Sequence, residues 1–317
     1  MTAPAILETD ALTKSYGTRR VVDRLNLDVR EGDVFGFLGP NGAGKSTTIR
    51  MILDLVRPSS GAVRLFGTTM ARDRRAILAR VGALVERADF YGYLDGLTNL
   101  RLLMRQAGLR EPKRAEAVLD LVGLSGRGGD KVRTYSHGMR QRLGIAQALL
   151  CRPQFILLDE PTTGLDPLGM KEVRELLRDL AQQYGITVFL SSHLLSEVEQ
   201  ICTRVAILHH GRLVAQGTVD DLAQGEYDAL DVATEDTLAA RDALRVAAGS
   251  FFATHSIEDH PRHLRVMVTR GAAAALNAHL VHDGVAVSAL TPVRSLEEYF
   301  LRITEESSGD RGTGGRA

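Results

Sequence analysis

Residues Gly39-Pro40-Asn41-Gly42-Ala43-Gly44-Lys45-Ser46 keep the spacing G-x-x-x-x-G-K-[ST]. An apolar run, Val34-Phe35-Gly36-Phe37-Leu38, precedes them and reads as a buried strand. Thr47-Thr48-Ile49-Arg50-Met51-Ile52-Leu53 follows and reads as a helix. Strand, glycine-rich turn and helix in that order make a P-loop, and this constrains the fold more than any other stretch. The glycines let backbone N–H groups close around phosphate oxygens, and the helix N-terminus adds a favourable dipole. In such a loop Lys45 reaches the β- and γ-phosphates of a nucleotide, and Ser46 puts its hydroxyl on Mg²⁺.

A second chemical signal lies downstream. Phe155-Ile156-Leu157-Leu158 is a short apolar run ending in two carboxylates, Asp159 and Glu160. Asp159 suits Mg²⁺, which keeps several waters and takes few carboxylates. Glu160 can polarise an attacking water, because general-base work needs a carboxylate within hydrogen-bond reach. A strand can also end in acidic residues by accident. Its place after a P-loop, within alternating strands and helices, is what points to phosphate chemistry.

Composition narrows the classes. Lys and Arg together number 39, as do Asp and Glu, so the formal net charge is zero. That balance gives no electrostatic footprint for nucleic acid, and none is expected as a partner. Arginine greatly outnumbers lysine but is scattered, not gathered into a phosphate-binding patch. Apolar residues make up 44% of the chain, enough for an ordinary core. Cys151 and Cys202 are the only cysteines, lack any C-x-x-C or metal spacing, and read as reduced thiols. Glu8, Asp10 and Lys14 interrupt any apolar stretch near the start, which argues against a signal peptide. No apolar run approaches the roughly 18 residues of a membrane span. A membrane role therefore has to come through a partner.

The pattern along the chain is α/β. Residues 1 to 30 read as strands with a turn at Gly17, and Leu25, Leu27 and Val29 alternate with Asn26, Asp28 and Arg30 as in a half-buried antiparallel strand. Pro58-Ser59-Ser60-Gly61 is a turn before a strand over 62–67. Across residues 89–135 the apolar spacing becomes helical, as in Leu100, Leu103, Met104 and Ala107, and predicts a helical insertion. Continuous apolar runs at 155–158, 188–190 and 205–208 predict parallel strands covered on both faces, with helices near 169–183 and 194–202 between them. A boundary is expected near Gly225-Glu226, closing a first domain over 1–224. Residues 225–306 read as a small α+β domain: strands at 228–234, 263–269 and 285–291, helices at 236–247, 271–283 and 295–304. Residues 307–317 have nothing to bury and predict a disordered tail.

Tyr135-Ser136-His137-Gly138-Met139-Arg140-Gln141-Arg142 stands shortly before the acidic pair. Ser136 reads as the N-cap of a helix over 139–150, where its hydroxyl and the Gly138 N–H can also meet a phosphate. With the P-loop and the acidic strand end, this stretch resembles the Leu-Ser-Gly-Gly-Gln signature of the ATP-binding subunits of ATP-binding-cassette (ABC) transporters. Tyr135 stands for Leu, His137 for the first Gly and Met139 for Gln, while Ser136 and Gly138 are kept. Pro161-Thr162-Thr163-Gly164-Leu165-Asp166 is similar to the family's D-loop, and His193 to its switch histidine. Tyr16 is similar to the aromatic residue that stacks on adenine.

The resemblance covers residues 5 to about 220. It implies a P-loop NTPase cassette with an antiparallel β subdomain, ATP and Mg²⁺ as cofactors, and a head-to-tail dimer holding two nucleotides. It implies nucleotide contacts from Tyr16, Gly39, Pro40, Asn41, Gly42, Ala43, Gly44, Lys45, Ser46, Thr47, Ser136 and Gly138, and catalysis by Glu160 and His193. Metal ligands would be Ser46, Asp159 and, where the family normally has Gln, Glu86. A third carboxylate there could raise the pKa of a neighbour unless Mg²⁺ neutralises it; Glu86 turned to solvent is the plainer alternative.

Glu86 with Phe90-Tyr91, the Tyr-Ser-x-Gly-Met-Arg-Gln-Arg signature and Ser295-Leu296-Glu297-Glu298-Tyr299-Phe300-Leu301 together resemble the bacterial drug, bacitracin and lantibiotic exporter ATPases. The expected partners are a membrane-spanning permease subunit and a second copy or a paired ATPase, at the cytoplasmic face of the membrane. The alternatives are a non-transport cassette ATPase and a nucleotide-sensing regulatory module.

Overall fold

The computed structural model describes residues 3–86, 88–223, 227–247, 257–260, 263–269, 271–293 and Phe300. The chain divides into two compact units, Met1–Thr218 and Val219–Ala317. The expected boundary near Gly225-Glu226 lies outside the described residues.

The first unit opens with β1 (Ala5–Tyr16), β2 (Arg19–Leu25) and β3 (Asp28–Arg30). β2 and β3 both run antiparallel to β1. The expected single strand through Leu25, Leu27 and Val29 is thus broken in two, although all three side chains are buried as its alternation requires. The break follows a left-handed Arg24, φ 48°, and Ala11 on β1 is left-handed too, φ 44°. Asn26 Oδ1 takes up the freed Ala11 N–H at 2.7 Å.

β4 (Val34–Leu38) leads through the glycine-rich turn into α1 (Lys45–Ile52). β5 (Ser60–Leu65) pairs with β1, and β6 (Thr68–Thr69) with β5, completing the antiparallel sheet β2-β1-β5-β6. α2 (Met70–Leu78) follows and has no counterpart in the sequence reading. Its apolar signal is weak: only Ile77 is buried, and Asp73 leaves helical geometry at φ −154°, ψ 72°.

β7 (Val81–Leu84) precedes the helical region, formed by α3 (Gly96–Gln106) and α4 (Arg114–Leu121). Asp95 caps α3 by accepting the Thr98 N–H at 2.6 Å. Leu100 and Met104 of α3 and Val118 and Leu119 of α4 are buried. α5 (His137–Leu149) then begins at its N-cap Ser136, two residues earlier than the expected start.

β8 (Phe155–Asp159), α6 (Pro167–Gln182), β9 (Thr187–Ser192), α7 (Leu195–Ile201), β10 (Arg204–His209) and β11 (Arg212–Thr218) complete the unit. The large sheet has the order β11-β10-β4-β9-β8-β7. β10, β4, β9, β8 and β7 are parallel, and β11 closes one edge antiparallel. Every residue of β4 and β9 is buried, as expected of strands covered on both faces. Phe189 of β9 organises this core, its ring centroid 5.5 Å from Phe35, 5.4 Å from Phe37 and 6.4 Å from Phe155. β11 went unread because its short Leu213-Val214-Ala215 run has no clear alternation.

The parallel register sets the chemistry. Leu38 pairs with Ser192, and Asp159 with Ser191. The carboxyl ends of β4, β9 and β8 therefore finish side by side, the place where open α/β sheets bind ligands.

The second unit holds α8 (Val219–Ala223), β12 (Tyr227–Thr234), α9 (Thr237–Ala247), β13 (Ile257–His260), β14 (His263–Thr269), α10 (Ala273–His282) and β15 (Val287–Val293). Its antiparallel sheet runs β13-β14-β12-β15. Leu230, Val232, Leu244, Leu264, Val266, Val268, Leu276 and Leu280 form its core. β13 was not foreseen from sequence. The expected helix over 295–304, apart from Phe300, and the expected tail over 307–317 lie outside the described residues.

Candidate active site

The turn between β4 and α1 is built for close backbone approach. A Cβ on Gly39 would sit 2.3 Å from the Leu208 carbonyl oxygen, and one on Gly44 would sit 2.7 Å from that of Val21. Gly44 also lies at φ 109°, which L side chains rarely adopt. Lys45 opens α1 with only 6% of its surface exposed. Its ammonium donates to the Gly39 carbonyl at 2.7 Å and the Pro40 carbonyl at 3.4 Å, and lies 3.5 Å from Glu160 Oε1. A cavity of about 300 Å³ opens over this turn, lined by Asn41, Gly42, Lys45, Ser46, Thr47 and Glu160. Arg19 and Val21 from β2 also line it, and sequence reasoning missed both. They reach it only through the fold of the antiparallel sheet.

At the end of β8, Asp159 Oδ1 accepts the Ser191 hydroxyl at 2.6 Å. The same Ser191 oxygen accepts the Glu160 backbone N–H at 2.9 Å. Glu160 lies at φ 49°, a left-handed conformation of the kind that concentrates at functional sites. Its Oε2 accepts the Thr163 hydroxyl at 2.9 Å and lies 3.2 Å from His193 Nδ1. Burial pushes the Glu160 carboxyl up. The Thr163 hydroxyl, His193 and Lys45 together outweigh it and hold the group below the usual carboxylate range. Glu160 is therefore ionised at neutral pH, with a cation on one side and an imidazole on the other.

A second cavity of about 210 Å³ brings together Ser46, Asp159, Glu160, Glu86, His137 and Thr163. Its hydroxyl and carboxylate oxygens are hard donors of the type Mg²⁺ takes. Glu86 is 65% exposed and pairs with Arg50, so its charge is already matched. It too is left-handed, at φ 66°.

Ser136 caps α5 by accepting the Met139 N–H at 3.2 Å. Gly138 sits in the first turn of that helix. Tyr135 is buried where the signature has Leu, and its hydroxyl donates to the Arg127 carbonyl at 2.7 Å. The aromatic ring fills an apolar site and its polar tip finds a partner. His137 lines the second cavity, and its Nδ1 is buried with no partner among the described residues. Tyr16 is half exposed at the end of β1, paired with Arg19, with the Lys14 ammonium 5.0 Å above its ring.

Comparison with known proteins agrees with this geometry. The family described as ABC transporter matches residues 22–163. The bacitracin transport ATP-binding protein BcrA of Bacillus licheniformis is 40% identical over 300 residues, covering 94% of this chain and 97% of that protein. The daunorubicin/doxorubicin resistance ATP-binding protein DrrA of Streptomyces peucetius is 35% identical, covering 97% and 94%. Among solved structures, an ATP binding subunit of an ABC transporter aligns with a TM-score of 0.61 at 32% identity, covering 68% of this chain and 91% of that one. The dimeric post-hydrolysis state of the ATP-binding cassette MJ0796 bound to ADP and Pi aligns at 0.60 with 26% identity, covering 67% and 98%.

Proposed function

The chain belongs to the ABC transporter family as one of its ATP-binding proteins, and from that premise we propose that it powers export of a drug, peptide or lipid-like substrate through a separate membrane subunit. Its activity is ATP hydrolysis. The observation that carries the reading is the meeting of Lys45, Glu160 and His193 at the carboxyl ends of β4, β8 and β9, Glu160 within 3.5 Å of both partners. Among the described residues no helix is long and apolar enough to cross a membrane. A partner must therefore supply the pathway if this chain acts in transport.

The chemistry follows from what these residues can hold. The N–H groups of residues 41–46 cradle the phosphates, and Lys45 exchanges the Gly39 and Pro40 carbonyls for phosphate oxygens. That exchange also frees Glu160 Oε1 from Lys45. Glu160, anionic and fixed by Thr163 and His193, then orients a water for in-line attack on the terminal phosphorus, whose bond to the bridging oxygen breaks to release ADP and phosphate. Its lowered pKa suits holding and polarising that water more than keeping its proton. Phosphoryl transfer rests mainly on such positioning and charge neutralisation. Ser46 and Asp159 would hold Mg²⁺, which when bound neutralises phosphate charge. Glu86 stands at the rim of the same cavity and would meet the metal only by giving up Arg50. Tyr16 stacks on the base, and Ser136 and Gly138 face the nucleotide of a paired ATPase.

The export reading draws on BcrA and DrrA, matched over nearly their whole lengths and named for bacitracin transport and for resistance to daunorubicin and doxorubicin. The chain would then sit peripherally at the cytoplasmic face of the membrane. Co-expression with its membrane subunit in a sensitive host tests this. Tolerance of bacitracin or of daunorubicin should rise severalfold and return to baseline with Glu160→Gln. Unchanged tolerance of both, with ATPase activity intact in those cells, would contradict export of this class.

A further inference from the structure

Glu197, in the first turn of α7, is 4% exposed. Its Oε2 accepts the Thr162 hydroxyl at 2.6 Å and lies 3.4 Å from the Ser192 hydroxyl, which it shares as acceptor with the Leu194 carbonyl, also at 3.4 Å. Ser192 Oγ in turn accepts the Leu194 N–H at 2.9 Å, bending the chain through His193. Thr162 lies two residues after Glu160, and Ser192 one residue before His193. One buried carboxylate thus holds both segments that carry the Glu160–His193 contact.

Glu197 is a poor choice for stability alone. Its Oε1 is buried with no partner among the described residues. A buried, half-satisfied carboxylate costs more than an apolar side chain of similar size. What it supplies is geometry: a short bond to one loop and a longer, shared one to the other. Ser191 makes the matching link one residue earlier, joining Asp159 to the Glu160 N–H. Residues 191, 192 and 193 are therefore each fastened to the segment 159–163, the middle one through Glu197.

We propose that Glu197 is a positioning residue for hydrolysis, which sets Glu160 against His193 by clamping Thr162 and Ser192 together. The inference rests on the assignment of Glu160 and His193 as the hydrolytic pair. Glu197→Ala releases both loops. Small misplacements at a reacting centre lower turnover by up to about 10²-fold without touching the rest of the binding site. Nucleotide contacts in the turn after β4 and on α1 are unaffected, so binding should stay the same.

The test is steady-state ATP turnover and nucleotide affinity of the full-length protein, with Glu160→Gln and His193→Ala run in parallel. Glu197→Ala should lower kcat by roughly tenfold to a hundredfold, with nucleotide affinity within about twofold of the parent. Glu197→Gln keeps an oxygen that can accept the Thr162 hydroxyl, and should restore most of the turnover. Thr162→Val, nearly isosteric, removes only the donor and should lower kcat in the same way; it also serves if Glu197→Ala does not fold. The pair should be non-additive, Thr162→Val adding little once Glu197 is Ala. Normal turnover in Glu197→Ala or Thr162→Val, while Glu160→Gln and His193→Ala are impaired, would overturn the positioning role alone. So would equal losses in the Ala and Gln variants. Normal turnover in Glu160→Gln and His193→Ala would overturn the hydrolytic assignment and this inference with it.

Discussion

Glu160→Gln is expected to bind ATP normally and to hydrolyse it about 10²-fold or more slowly. The side chain stands at the centre of the site, 3.5 Å from Lys45 Nζ and 3.2 Å from His193 Nδ1. The amide keeps the shape and can still accept from Thr163. It loses the negative charge that polarises the attacking water, which is the part of Glu160 used only as the reaction proceeds. A loss of about 10²-fold corresponds to roughly 2.7 kcal/mol of barrier. Binding should hold or tighten slightly, because Lys45 loses a competing anion before the phosphates arrive. Single-turnover hydrolysis and equilibrium nucleotide binding, measured on the same preparation, separate the two effects. Turnover near the parent rate would remove Glu160 from its role.

Lys45→Ala acts on the other half of the cycle. It should raise the nucleotide dissociation constant by roughly 10²-fold, and turnover should disappear at any practical ATP concentration. Hydrogen bonds to charged groups are each worth about 1.5–3 kcal/mol, and Lys45 can make more than one to the phosphates. The ammonium is already held over the loop by the Gly39 and Pro40 carbonyls, so little ordering is needed when ATP binds. Its removal also leaves Glu160 Oε1 without its cation, as a fixed negative charge facing the incoming phosphates. Both effects weaken binding. A dissociation constant close to the parent's would contradict the role given to Lys45.

How much of this was legible in the sequence follows from how local each signal is. The P-loop is eight consecutive residues, so its conformation and its place between β4 and α1 could be read directly. The acidic end of β8 could be read for the same reason. Ser136 announced itself as a helix cap, and α5 begins at it. Tyr16 and His193 stand out only through family resemblance, because no short-range physics marks them.

What escaped reading is what the sheet assembles from distant strands. Ser191 and Asp159 are 32 residues apart in sequence and become partners only through the parallel register of β8 and β9. Thr162 and Glu197 are 35 residues apart, and a glutamate in an ordinary helical turn gives no sign of being buried. Arg19 and Val21 border the phosphate cavity because β2 folds over it. The continuous apolar pattern through Leu25, Leu27 and Val29 could not show the left-handed Arg24 that divides it. Given the strand order, the alignment of carboxyl ends would have placed Ser191 and Ser192 beside Asp159; side-chain pairing across α7 would still have needed coordinates.

The central claim, an ATPase that drives a membrane subunit, is tested most directly by capture of the ATP-bound protein with its partner. Tagged Glu160→Gln, which binds ATP but turns over slowly, is purified from solubilised membranes of its host with ATP and Mg²⁺ present. The account predicts that a protein with several membrane-spanning helices co-purifies and that Lys45→Ala, with its weakened hold on nucleotide, weakens or loses that association. Recovery of Glu160→Gln with ribosomes, nucleic acid or non-membrane protein alone would contradict the transport reading and favour an ATPase that works elsewhere.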